Sequence, residues 1–160
     1  MTRAAALALL LGACGGDGEG QGGKAGDYSG RADLEAEFVD PEYPEGQPWV
    51  LRTDEDGWEL RQGARWADAA VLARFEVDRS DGLWLDDTRM LPASADEGAR
   101  ADGCTVTARG EVEVWYGTFP DAVETEVAEG RLAGAHAFAR DIGPIRLTLD
   151  GETRELAFYW

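Results

Sequence analysis

One histidine, three serines and two cysteines limit the nucleophilic or general-base chemistry that this 160-residue chain can hold. His136 has no His or Cys at metal-ligand spacing, so no metal site is read around it. It alternates with Leu132 and Phe138, which places it on a buried face of a strand rather than in a catalytic group. Ser29, Ser80 and Ser94 are not set in a Gly-x-Ser-x-Gly elbow. Carboxylates are abundant, with 32 Asp and Glu against 15 Lys and Arg and a net charge of −17. A glycosidase-type pair needs two carboxyls roughly 5–10 Å apart, one of them in an apolar setting. Glu113, Glu124 and Glu126 are the candidates. However, Glu alternating with Val on a strand is normally the solvated face. The run Asp54-Glu55-Asp56-Gly57 superficially resembles a calcium-loop centre, but Arg52 and Gly63 fall where ligands are required, so it reads as an acidic hairpin tip. Asp86-Asp87 and the acidic stretch 40–45 would hold a divalent cation only weakly. No catalytic group, cofactor or specific metal site is therefore assigned. Trp84, Trp115 and His136 remain as candidate binding residues, because a Trp beside acids can mark a sugar or peptide groove. Cys104 alternates with Val106 and Ala108 and reads as a buried thiol; an exposed one could cross-link to a partner in an oxidising compartment.

The chemistry with the clearest pattern lies at the start of the chain. Arg3 precedes an apolar run over residues 4–11, whose helical rise of ~12 Å is too short for a ~30 Å hydrocarbon core. This is the pattern of an export signal. The following Leu11-Gly12-Ala13-Cys14 resembles a bacterial lipobox. The resemblance implies diacylglyceryl transfer to the Cys14 thiol, cleavage before Cys14 and acylation of the new amine. Such acyl chains anchor stably, at ~0.8 kcal/mol per buried methylene. By resemblance to Gram-negative sorting rules, Gly15 (where Asp would retain the protein in the inner membrane) favours the outer membrane. The implied partners are the membrane, through Cys14, and an envelope protein or glycan. The strong negative charge argues against nucleic acid.

The chain reads as three parts: 1–13 as a lipoprotein signal peptide, 14–30 as the acylated Cys and a Gly-rich tether, and 31–160 as a β-rich domain. Residues 15–30 carry few apolar side chains and read as a flexible linker with an r.m.s. reach of ~20–24 Å.

Beyond residue 31 the dominant period is two, the signature of strands with one buried face. Val112, Val114 and Tyr116 alternate with Glu111, Glu113 and Trp115; Ile145, Leu147 and Leu149 alternate with Arg146 and Thr148. Asp-Gly pairs at 56–57, 81–82, 102–103 and 150–151 mark hairpin turns. They predict pairing of 49–53 with 58–62, of 71–78 with 83–90, and of 145–149 with 153–160. Residues 65–74 fit either a short helix or a strand; Thr125 and its flanking valines tilt 120–129 toward strand; 91–102 reads as a loop. The fold class is all-β: one antiparallel meander of about eight to ten strands forming a small barrel or a sandwich, with room for one short helix.

The stretches Val114-Trp115-Tyr116-Gly117-Thr118-Phe119-Pro120 and Phe138-Ala139-Arg140-Asp141-Ile142-Gly143-Pro144-Ile145 resemble the tail of uncharacterised secreted β-sheet lipoproteins of Gram-negative bacteria. The resemblance covers residues 114–160 and implies an antiparallel sheet, with no activity attached. A weaker similarity is to periplasmic lipoprotein carriers. The expected function is a non-enzymatic outer-membrane lipoprotein whose β-domain binds or scaffolds material in the envelope. The alternatives are a carrier or sensor of a lipid or acyl chain inside a barrel, and an envelope hydrolase using acidic residues.

Overall fold

The computed structural model describes residues 23–160. Cys14 and the lipobox residues Leu11, Gly12 and Ala13 lie outside the described residues. The alternating segments form twelve strands: β1 (Glu35–Val39), β2 (Trp49–Thr53), β3 (Gly57–Gln62), β4 (Ala70–Asp78), β5 (Leu83–Leu85), β6 (Thr88–Leu91), β7 (Arg100–Ala101), β8 (Cys104–Val114), β9 (Gly117–Val127), β10 (Gly134–Ala139), β11 (Gly143–Leu149) and β12 (Glu152–Tyr159). All belong to one antiparallel sheet in the order β6-β5-β4-β3-β2-β1-β12-β11-β10-β9-β8-β7. Because β1 pairs with β12, the strand order is cyclic except between β6 and β7, and the sheet is nearly closed into a barrel. Of the two architectures expected, the barrel is the one found. The strand number exceeds expectation because 83–90 is two strands rather than one and the expected loop at 91–102 contributes β7. Asp86 takes a positive φ of 53° and its Oδ1 accepts from the Glu76 N–H at 2.7 Å, turning the chain between β5 and β6.

Among the described residues there is no α-helix. Segment 65–74 opens with a single 3-10 turn, Trp66–Asp68, and then becomes β4; β9 continues through 120–127 as a strand. The 91–102 loop ends in the two-residue strand β7. The Asp-Gly turns divide into two kinds. At 102–103 and 150–151 both residues have positive φ, which only a turn of the I′ kind requires. At 54–57 the Asp54 carboxylate instead accepts the Asp56 and Gly57 N–H groups at 2.9 and 2.7 Å.

The barrel interior is filled. Phe38, Leu51, Met90, Phe138, Ile145 and Leu156 are fully buried and belong to one continuous core. Across the seam the β6 backbone is met by side chains: the Met90 carbonyl accepts from the Cys104 thiol at 3.3 Å and the Thr125 hydroxyl at 3.1 Å.

In the described part of the tether expected over 14–30, the chain is packed rather than loose. Residues 23–30 pack on the barrel, with Ala25 and Tyr28 buried. Ala25 N–H donates to the Ala93 carbonyl and Ala95 N–H to the Gly23 carbonyl, at 3.1 and 2.8 Å. The segment then crosses beneath β11. At Gly143 (φ 109°) a Cβ would lie 2.8 Å from Gly30 Cα, so glycine is needed for the two backbones to pass. A Gly-rich stretch can thus order when one large aromatic among the glycines repays the entropy.

Candidate functional site

The residues singled out in the sequence lie on separate elements. His136, on β10, is fully buried. Its Nδ1 accepts from the Thr148 N–H at 3.3 Å, so Nε2 carries the proton and donates to the Leu132 carbonyl at 2.8 Å. Burial pushes its pKa down to about 4, against the weaker pull of the Leu132 carbonyl. Both ring nitrogens are committed to backbone, close to the register shift between Ala137 and Phe138. The ring therefore stands in for a missing rung of the β10–β11 ladder.

Trp84, on β5, is half-buried beneath the Arg89 guanidinium, 4.2 Å from its ring centroid. Arg89 is itself buried and ion-paired with Asp81 and Asp102 at 3.1 and 2.8 Å. Trp115 sits in the turn between β8 and β9 and is exposed. Cys104 is a buried free thiol; burial pushes its pKa up to about 11, so it stays protonated and unreactive at neutral pH. Glu113 and Glu126 are exposed, and Glu124 is ion-paired with Arg146 at 2.6 Å.

Two surface features were not visible in the sequence. The first is an open groove of about 670 Å³ on β2–β4. Its lining includes Arg52, Glu59, Trp66, Arg74 and the acidic turn at Asp54 and Asp56. Trp66 lies in the 3-10 turn, with the guanidinium carbons of Arg52 and Arg61 at 4.1 and 4.4 Å from its ring. Glu59 bridges Arg74 and Arg61 at 2.8 and 2.5 Å, and the Arg74 hydrogen bond leads in holding its carboxyl below the usual range. Trp58, also in the lining, has a buried Nε1 without a hydrogen-bond partner. An aromatic ring flanked by fixed charges of both signs suits a polar, ring-shaped or zwitterionic ligand. Cross-strand juxtaposition makes this groove: Arg52, Glu59 and Arg74 meet only through the β2–β3–β4 register.

The second feature lies at the end of the barrel where residues 23–34 enter. There Tyr28 donates to Asp121 at 2.7 Å, and Arg140 bonds Asp121, Asp27 and the Tyr28 oxygen. Burial pushes the Asp121 carboxyl up, but the Tyr28 hydroxyl and the Arg140 guanidinium more than offset this and hold it below its ordinary value. These contacts fasten the entering chain to β9 and to the β10–β11 turn. At the same end, the β8–β9 hairpin leans across β11 to β12: Arg146 donates to the Glu113 carbonyl, Trp115 N–H to Glu155, and Tyr116 N–H to the Leu156 carbonyl at 2.7 Å. Tyr116 packs on Tyr159 and Phe119, with ring centroids 5.2 and 5.9 Å apart, and Phe158 packs on Trp160 at 5.3 Å.

Neither family models, nor curated proteins, nor solved structures give a significant match to this chain. Among the described residues no helix is long and apolar enough to cross a membrane, and no group of His, Cys, Asp and Glu is arranged to hold a metal ion.

Proposed function

We propose that this chain is a non-enzymatic lipoprotein of the bacterial outer membrane, acylated at Cys14, whose barrel binds or scaffolds an envelope protein or glycan. The observation that carries the reading is the Leu11-Gly12-Ala13-Cys14 motif behind Arg3 and its apolar run. The barrel supports it indirectly. The histidine is bound up in the sheet, the described thiol is buried and protonated, and the candidate carboxylates are exposed or paired with arginine. The filled interior weighs against an acyl-chain carrier, whose ligand would need an enclosed volume. The groove beside Trp66 is the surface best suited to a glycan or a charged peptide segment.

Intact-mass analysis of protein purified from its native host tests the reading. The expected species begins at Cys14 and carries added acyl mass, and Cys14→Ser releases the protein from membrane fractions. Retention of Met1 with no acyl mass refutes it.

A further inference from the structure

Six large apolar side chains are exposed among the described residues, and four of them lie at one end of the barrel: Trp115, Tyr116, Phe158 and Trp160, each 47–56% exposed. The antiparallel order fixes this end. It holds the β2–β3, β4–β5, β8–β9 and β10–β11 turns, the C-terminal end of β12, and the entering segment 23–34. Trp160 exchanges backbone hydrogen bonds with Glu35, at the start of β1, and the hairpin tip is bonded to β12 through Leu156. The four aromatics lie on the last residues of β12 and on the hairpin bonded to it, Phe158 packed on Trp160 and Tyr116 on Tyr159.

We infer that this aromatic end dips into the headgroup layer of a zwitterionic phospholipid bilayer. The inference rests on the acylation of Cys14 proposed above. The described structure begins at Gly23, and the chain from Cys14 to Gly23 can span at most about 30 Å even when fully extended. Gly23 lies against Tyr28 and Arg109 near the β6–β7 seam, and the segment that follows it enters at the same end of the barrel as the aromatics. An anchor at Cys14 therefore attaches at this end of the barrel and keeps it within about 30 Å of the lipid surface. Trp and Tyr are the side chains that favour this layer, since each joins an apolar ring to a polar tip. Charge selects the lipid: the net charge is −17, and Glu35 and Glu37 pair with Trp160 and Phe158 across the β1–β12 ladder. Anionic headgroups are repelled by such a surface.

The test reconstitutes the mature, acylated protein in phosphatidylcholine–phosphatidylethanolamine vesicles, with and without lipids brominated near the headgroup. Tryptophan fluorescence is expected to be quenched by the brominated lipid. Trp115→Ala/Trp160→Ala should lose at least half of that quenching while keeping its far-ultraviolet spectrum and its acyl mass. Adding anionic lipid should weaken the quenching. Phe158→Ser, which removes no fluorophore, should also lower the quenching of the remaining tryptophans at this end. Equal fluorescence in brominated and plain vesicles, with acyl mass confirmed, overturns the inference and leaves the anchor standing. Shielding of the tryptophans that tracks protein concentration instead of lipid also overturns it, in favour of pairing between copies. If no acyl mass is found, the anchor reading fails. Sedimentation of the unmodified chain with zwitterionic vesicles then decides the inference alone: co-sedimentation that Trp115→Ala/Trp160→Ala abolishes sustains it, and none overturns it.

Discussion

At the scale of single residues, His136 has the largest consequence. Its neutral ring accepts from Thr148 and donates to Leu132, so a second ring proton would have to displace the Thr148 N–H. The folded pKa is about 4 against an ordinary 6.5, so between these values the unfolded chain binds more protons. Stability is complete above pH 6.5, falls as the pH drops toward 4, and loses about 3 kcal/mol from this group. Urea unfolding at pH 7 and at pH 4 should show that loss, and His136→Gln should show a shallower pH slope at whatever stability it retains. The Asp121 carboxyl acts in the same direction at lower pH, since its pKa is depressed. The buried face of β10 was legible from the alternation of His136 with Phe138. The ladder role was not, because it depends on a register shift between two strands. Asp102-Gly103 and Asp150-Gly151 showed their turns directly, whereas Asp86 gave no dipeptide signal for its left-handed backbone.

At the scale of elements, the segment 23–30 is where composition misled. Glycine content alone marks a linker, but Tyr28 is wholly buried and its hydroxyl joins Asp121 and Arg140. Tyr28→Ala should destabilise the fold by about 3–5 kcal/mol, read from the midpoint of chemical unfolding. A true tether residue would tolerate the change within about 0.5 kcal/mol. Period-two alternation located β9, β11 and β12, and the Asp56-Gly57 turn located β2 and β3, although β2 and β11 are buried at nearly every position. It failed for β5 and β6, which are too short to show a period, and for the groove, whose residues come from three strands and a 3-10 turn.

For the whole molecule, the controlling quantity is charge. A net charge of −17 on a chain of this size repels itself, while the ion pairs around Glu59 and Arg146 are local and partly exposed. Raising the salt from 0.01 to 0.3 M at pH 7 should therefore raise the melting temperature, since screening relieves the global repulsion more than it weakens the close pairs. A falling melting temperature would mean that the local pairs dominate. The alternation and the Asp-Gly turns made an antiparallel meander legible, but closure was not: the β1–β12 pairing joins the two ends of the chain, and sequence periodicity carries no record of which ends meet.

That pairing makes the protein two six-stranded halves, β1–β6 and β7–β12, each wound from neighbouring hairpins and spliced along a single ladder. Nicking the connection between Glu97 and Gly98 cuts the chain where β6 and β7 share no rungs and leaves the 93–95 bridge to Gly23–Ala25 in one fragment and the Gly98 and Ala99 bonds to Val106 in the other. Mixed together, they should rejoin through β1 and β12 into a native-like complex, and the molecule can be handled as a split reporter.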